Sequence, residues 1–551
     1  MKFKLYLLLL SLISIVSILE LLHTGLPITH DGIDHLARIA NFYQNLQQGN
    51  IIPRWAGNLN WGYGHPILEF LYPLPSYLVS FFHALNFSFI DATKIVFAIG
   101  MLFGGICMYF WLAEFLDIPA AFIGGMLYTF TPYRFVETYV RGDIGENLAF
   151  MFMPLVLYCI YKLYKTKNHR YVIIGAIALA LLILAHNAIS LMYLPFIIFY
   201  CIYLAYISKN KKYFIFNSLM LILLGFCLSA FFWLPGLLEG KFTLRNIVTA
   251  GEYRSRFVTL QSLFYGPWSY GGTGFFTTQL GVVNWITLFF SIPISFLLWK
   301  RKDKSYTLTV GLLIYSIGAI FLMLPIANFI WVKVLLLQNF QFPWRFLAVT
   351  VFSTSVLGAI VTSILLRRES IRKLIRKDVL IVCVLTLVIL FFNKDYWHAQ
   401  NYLYKPDRYF TGIYDGTTDT GESAPVWSIR FMEKRPKAPM EIISGSATIH
   451  QGERKITRHD YIVIATTKTR LRENTLFFPG WRVLVDSKCI PIQFQDGHNR
   501  GLMTFYVEKG KHTVSVVYRE TKLRKLADII SLVSLGIVVV IFILRQLFRK
   551  K

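Results

Sequence analysis

Apolar blocks about twenty residues long, nearly free of charge, recur along the chain and constrain its fold before any motif is read. A helix needs about 20 such residues to cross a bilayer. Inside hydrocarbon only a helix or a closed barrel pairs every backbone N–H and C=O. Twelve blocks read as spans, near 4–23, 94–115, 119–133, 147–163, 171–185, 188–207, 213–235, 281–299, 305–325, 345–366, 378–392 and 527–547. The 119–133 block is short, but Pro119 suits a first helical turn. The basic start at Lys2 and Lys4 invites a signal-peptide reading. No small-residue cleavage site follows in 21–30, so an uncleaved anchor is expected. With 55% hydrophobic and 16% charged residues, the 551-residue chain is not one soluble domain, where roughly 25% of residues are charged.

Charge orients the spans. With the N-terminus inside, the short cytosolic pieces hold 23 Lys/Arg and the short outer loops hold ten. This asymmetry places both termini in the cytosol. It also decides segment 67–88, which is apolar enough to span but would invert every later loop. Pro66, Pro73, Pro75 and Glu69 fit a span poorly, so the segment reads as a juxtamembrane or re-entrant helix within a first outer loop of residues 24–92. The chain's net charge of +26 is therefore mostly orientation signal, and no nucleic-acid partner is expected. The six cysteines show no CxxC or Cys/His spacing, which indicates neither a disulfide framework nor a zinc site.

Residues 1–392 thus form a multi-span membrane domain, 393–526 a polar segment of different character, and 527–551 a last span with a basic tail. Within 393–526, alternating stretches such as Tyr461–Ile464, Trp481–Val485 and Thr513–Val517 are separated by Pro479-Gly480, Asp496-Gly497 and Lys509-Gly510. That pattern reads as a small antiparallel β domain outside the membrane.

Ionisable residues at membrane level are costly and are functional candidates by default. After the first span, a helix starting at Asp31 puts Asp31, Asp34, His35 and Arg38 on one face. One of these carboxylates can serve as general base toward a hydroxyl. The plainer alternative is an Asp31 cap with a solvated Asp34–Arg38 pair. A second outer loop carries Arg134, Glu137, Arg141, Asp143 and Glu146. Arg141 suits bidentate phosphate binding, and Glu146 can position it or join a metal site; a surface ion-pair network is the alternative. Arg345, in Pro343-Trp344-Arg345-Phe346, can hold phosphate at the interface or simply snorkel from an aromatic belt. In the 236–280 loop, basic residues and Tyr265–Gly272 offer cations and sugar-stacking rings. His186 reads as a helix cap, and His65 before Pro66 is ambiguous in the same way. DxD, P-loop, GxSxG and HExxH motifs are absent.

A first span followed at once by an acidic motif, a long first outer loop and many spans resembles the GT-C membrane glycosyltransferases. The closer resemblance is to bacterial YfhO-type proteins and the neighbouring "6-pyruvoyl-tetrahydropterin synthase-related" membrane proteins. It rests on His30-Asp31 with His35, Gly62-Tyr63-Gly64-His65-Pro66 with Tyr72-Pro73, and Pro132-Tyr133-Arg134. Tyr139-Val140-Arg141-Gly142 with Glu146, Pro343-Trp344-Arg345-Phe346, Phe478–Val483 with Asp486, and Gly510-Lys511-His512 complete it.

The resemblance implies a GT-C-like polytopic α-helical protein of about twelve spans, with an extracytoplasmic β domain before the last span. It further implies a place in a bacterial cytoplasmic membrane and transfer of a sugar from a polyprenyl-phosphate donor to an envelope glycopolymer, glycolipid or protein. Asp31 takes the place of the family's catalytic base, with Asp34 and His35 beside it. Arg141, Glu146, Arg345, Arg134, Asp143 and His65 fall where donor and phosphate are bound. Asp34 or His35 departs from the usual Asp-Glu pair, so a divalent metal is possible but not indicated. The alternatives are a flippase or transporter of lipid-linked saccharides and a non-catalytic envelope-assembly protein.

Overall fold

Every one of the twelve apolar blocks contains a helix. The computed structural model describes residues 1–272, 275–367 and 377–549. Among these, nine helices are long and apolar enough to cross a membrane. They are Lys2–Leu22, Phe89–Leu112, Ile144–Thr166, Asn187–Ile207, Lys211–Leu228, Val282–Lys300, Ser305–Met323, Pro343–Leu366 and Lys522–Leu544. Three shorter apolar helices, Ile118–Thr129, Arg170–Ala185 and Val379–Asn393, occupy the remaining blocks. The first of these is short, but its neighbours bury every residue from Ala120 to Thr129. Residues 368–376, which carry most of one expected basic loop, and 550–551 of the basic tail lie outside the described residues.

Small residues let the helices approach closely, as is usual in membrane bundles. A Cβ on Gly358 would stand 2.3 Å from Leu127, and one on Gly124 2.9 Å from the Ala359 methyl. Helix Lys2–Leu22 packs into this bundle: Tyr109 and Tyr139 donate hydrogen bonds to the carbonyls of Phe3 and Ser17.

The connections segregate. Short loops gather at one end, where Lys162 pairs with Glu114 at 3.0 Å and Arg367 with Asp117 at 3.0 Å. The opposite end carries the long connections among the described residues. There, helix Gly32–Gln47 is followed by a turn at Asn60–Gly62 and two short helices, Ile67–Phe70 and Leu74–Ala84. Segment 67–88 is therefore not one long helix, because Pro73 and Pro75 divide it.

Eight strands form the β domain: β1 Met440–Ser444, β2 Ala447–Lys455, β3 Arg458–Ala465, β4 Thr469–Leu476, β5 Trp481–Val485, β6 Lys488–Ile490, β7 Leu502–Val507 and β8 Gly510–Tyr518. They make two antiparallel sheets, ordered β2-β3-β8-β5-β6 and β1-β4-β7. The three alternating stretches of the sequence are β3, β5 and β8, adjacent in one sheet. Val514 faces Tyr461, and Val516 faces Val483. Their inward side chains meet Leu471 and Phe505 of the other sheet in one apolar core.

The β domain starts later than the expected boundary at residue 393. Residues 394–439 are mostly irregular and form a strap across the first long loop. Leu403 pairs with Leu26, and Tyr414 N donates to Asn58 O at 2.8 Å. The domain is fastened to the same end of the bundle as that loop. Trp55 meets Trp481 edge-on at 5.4 Å, and buried Arg524 of the last helix pairs with Glu69 at 2.8 Å and Glu239 at 2.6 Å.

Candidate active site at the loop end of the bundle

Asp31 holds the N-cap position of helix Gly32–Gln47, where an aspartate usually turns its carboxylate back onto the first N–H groups. It does not do so here. Thr29 Oγ1 accepts from the Gly32 N–H at 3.1 Å, and among the described residues the Asp31 carboxylate accepts no hydrogen bond. The capping alternative therefore fails, and the carboxylate faces a cavity.

Main-chain bonds fix this motif to the second loop. His30 N donates to Val140 O and Asp31 N to Arg141 O, both at 2.9 Å. Gly142 makes the approach possible. Its φ is +73°, and a Cβ there would lie 2.2 Å from Thr29 Oγ1. A left-handed non-glycine residue costs about 1–3 kcal/mol before any clash is counted. Gly142→Ala is accordingly expected to lower the unfolding temperature in detergent and to lower whatever activity depends on Asp31. Unchanged melting would show that the Thr29 contact yields easily.

Residues Val136–Arg141 form one π-helical turn, a local widening common at functional sites. The Arg141 guanidinium donates to Glu137 Oε2 at 2.6 Å, Glu146 Oε2 at 3.0 Å and Asp143 Oδ2 at 3.1 Å. It also lies 4.6 Å over the Trp344 ring. Asp143 Oδ1 caps the next helix by accepting from Glu146 N and takes the Tyr72 hydroxyl, both at 2.9 Å. Tyr133 donates to Glu146 Oε1 at 2.6 Å. His186 Nε2 stands 3.5 Å from Asp143 Oδ2, while its Nδ1 caps its own helix through the Ile189 N–H.

Arg345 approaches the same cluster from another helix. Its Nε lies 3.6 Å from Glu146 Oε2, and its Nη1 donates to Phe340 O at 3.0 Å. At 3.6 Å the Nε contact is an ion pair without a hydrogen bond, so Nε is a buried donor with no hydrogen-bond partner among the described residues, and the guanidinium gives its hydrogen bond there from Nη1. Among the described residues Arg141 thus gives three hydrogen bonds to protein carboxylates, whereas Arg345 gives one, to a carbonyl, and keeps free donors.

These groups surround a cavity of ≈ 530 Å³. One half is charged, with Asp31, Asp34, His35, Arg38, Arg141, Asp143, His186 and Arg345 in its wall. The other half is apolar, and Leu191, Leu237 and Leu336 there are 43%, 68% and 56% exposed. The cavity is therefore bordered on this side by exposed apolar side chains. Thr418 and Asp419 of the strap cover the charged half, and Arg38 Nη2 donates to Thr418 O at 2.6 Å.

The environment separates the acids and bases. Burial raises the Asp31 carboxyl above the usual aspartate value, and nearby Arg141 partly offsets this. Burial, reinforced by Arg38, pushes His35 down to about 3, so it stays neutral near pH 7 and is a weak base. Burial acts to raise Asp143, but His186 and Arg141 hold it well below the ordinary value. Asp34 Oδ1 accepts from the Tyr414 hydroxyl at 3.0 Å.

Of the residues singled out in the sequence, Asp31, Asp34, His35, Arg141, Asp143 and Arg345 converge on the cavity, and Glu146 stands directly behind Arg141 and Arg345. Arg134 and His65 do not reach it. Arg134 is buried in the bundle, donating to Gly100 O at 2.8 Å and Asn147 O at 3.2 Å. His65 is buried against Asp419 at 3.4 Å, behind the strap. Tyr72, His186 and Asp419 join the site without having been assigned to it. His186 was legible only as a cap, a role it also fills.

Asp143, Glu146 and His186 present ligand atoms within 4.8 Å of one another, a spacing a metal ion can bridge. Their oxygens, however, are committed to Arg141, Tyr72 and Tyr133. The guanidinium holds the place between the carboxylates that a divalent ion needs. The residues as placed do not fit a metal, and no step is routed through one.

Fold and site together define a polytopic helical membrane protein with a charged cavity at one end of its bundle. Residues 68–403, more than half of the chain, match the family model described as 6-pyruvoyl-tetrahydropterin synthase related domain, membrane protein. The chain belongs to this family of membrane proteins, as the sequence resemblance implied. An uncharacterised protein of Lactococcus lactis subsp. cremoris (strain MG1363) is 22% identical over 318 residues, covering 54% of this chain and 50% of that protein. The chain therefore spans about half the length of this relative. Two crystal structures of the Archaeoglobus fulgidus oligosaccharyltransferase are also similar. The apo form gives a TM-score of 0.46 at 16% identity, over 77% of this chain and 61% of the other. The complex with Zn and sulfate gives 0.42 at 15%, over 74% and 53%.

Proposed function

We propose that the chain transfers a sugar from a polyprenyl-phosphate donor to a cell-envelope glycopolymer, glycolipid or protein, at the outer face of a bacterial cytoplasmic membrane. Both termini are then cytosolic, and the cavity, the strap and the β domain lie outside.

The uncommitted carboxylate of Asp31 carries this reading. It faces a cavity that also holds a free Arg345 donor and is bordered on one side by exposed apolar side chains. The acceptor hydroxyl loses its proton to Asp31 as its oxygen attacks the anomeric carbon. The bond from that carbon to the phosphate oxygen breaks, the electron pair leaves with the lipid phosphate, and configuration inverts. The Arg345 guanidinium stabilises the charge gathering on the leaving phosphate, where a positioned cation contributes most. Arg141 organises the carboxylates around it. The apolar half of the cavity takes the first isoprene units. A flippase calls for charged groups along a path through the midplane, whereas here they gather at one end.

The test uses the purified full chain in liposomes with radiolabelled polyprenyl-phosphate hexoses and a membrane extract as acceptor. Label is expected to move into lipid-free or glycolipid product as polyprenyl phosphate is released. Movement of intact donor between leaflets, with no release, would instead identify a flippase.

A further inference from the structure

A second cavity, of ≈ 390 Å³, lies where the C-terminal end of helix Gly32–Gln47 and the turn at Trp55–Tyr63 meet β2, β3 and β4. Its size falls within the roughly 300–1,000 Å³ of small-ligand sites. We propose that this cavity binds the glycan part of the acceptor, as a neutral, hydroxyl-rich saccharide. The transferase reading gives the site its place in the reaction, but binding here is measurable without turnover.

The wall has the right chemistry. Four side-chain amides, Gln44, Gln47, Gln48 and Asn58, line it. An amide both donates and accepts, which matches a hydroxyl. Some of these groups are locked. Gln44 bridges Asn58 Nδ2 at 2.9 Å and Thr411 O at 3.0 Å, and Gln48 Oε1 accepts from Ile456 N at 2.9 Å. Others are free among the described residues: the Gln47 amide, Gln48 Nε2 and the Tyr63 hydroxyl. A wall with a few uncommitted polar groups and the half-buried ring of Tyr63 is the make-up of a small-ligand site.

Charge argues for a neutral ligand. Arg454 is held by Glu473 at 3.0 Å, His459 by the same carboxylate at 2.8 Å, and Lys455 by Glu453 at 2.9 Å. Arg454 and Lys455 thus each have a carboxylate partner, with Glu473 shared between Arg454 and His459, and no unpartnered pair of cations among the described residues of the wall awaits a phosphate.

The position also fits. Ile413 of the strap lines this cavity and Thr418 lines the first. They are five positions apart, at most about 18 Å of extended chain. Between them Tyr414 donates to Asp34. A glycan seated here therefore lies one strap away from Asp31.

The experiment titrates the purified full chain in detergent with maltotriose and with N-acetylchitotriose by calorimetry and saturation-transfer NMR. The wild type and Asp31→Asn are expected to bind at least one trisaccharide equally well. The Gln47→Ala/Tyr63→Phe double variant is expected to melt normally and bind at least about tenfold more weakly, roughly 1.4 kcal/mol. Absence of binding by the wild type at millimolar saccharide overturns the proposal. So does wild-type affinity in the double variant, or a preference for polyphosphate over both trisaccharides. If binding behaves as expected while the wild type transfers no sugar from any donor offered, the transferase reading fails and the saccharide site stands.

Discussion

Asp31→Asn is expected to lower sugar transfer by about 100- to 10,000-fold, the usual contribution of a positioned general base. At about 1.4 kcal/mol per tenfold, this corresponds to roughly 3–5.5 kcal/mol of barrier. The substitution keeps the shape and removes only the proton acceptor. Stability is expected to stay level or rise, because the wild-type carboxylate is crowded by protein yet accepts no hydrogen bond among the described residues. Lost activity with retained melting is the signature of a catalytic rather than a structural group. The pH profile gives a second readout. Asp31 must be ionised to accept the proton, and burial places its carboxyl above the usual value of about 3.9. kcat/KM should therefore fall, as pH drops, at a higher pH than for an ordinary aspartate. Transfer assays on inserted, normally melting Asp31→Asn decide the matter. Activity within twofold of wild type would remove Asp31 from the mechanism.

Most of the membrane domain was legible because spans follow from local composition, and the face carrying Asp31, Asp34, His35 and Arg38 follows from helical spacing alone. The convergence of Arg141, Asp143 and Glu146 was legible as a density of charge in one loop. What was not legible depends on packing between distant segments. Arg134 and Arg141 are seven residues apart and look alike in sequence. Yet one donates to backbone carbonyls inside the bundle and the other gathers three carboxyl groups. The strap around Asp419 reads as an ordinary polar turn, and only its contacts with Arg38 and His65 bring it to the cavity. The β strands were recognised by alternation, but nothing local marked where the irregular 394–439 stretch ends and the sheet begins.

Arg141→Met is expected to be the most damaging single change in stability. The side chain is buried and pairs with Glu137, Asp143 and Glu146, which are all buried as well. Removing one partner of a buried pair leaves uncompensated charge and costs about 3–5 kcal/mol. Here three acids lose the same partner. Lysine is a poor substitute, since a point charge on a flexible stem cannot reproduce a fork that reaches three carboxylates. Arg141→Lys should therefore fall between wild type and Arg141→Met in melting temperature. The cause can be isolated with Glu137→Gln. In the wild-type background this change removes the partner at 2.6 Å and destabilises. In the Arg141→Met background it removes an orphaned acid and should restore part of the lost stability. A double-mutant cycle measured by thermal unfolding in detergent reads this coupling directly. Transfer should not return with stability, because the lost guanidinium also packs over Trp344 beside Arg345. Full recovery of transfer in the double variant would assign Arg141 to folding alone. Additive effects without coupling would show that the three carboxylates draw their compensation from Arg345, His186 and the tyrosine hydroxyls instead.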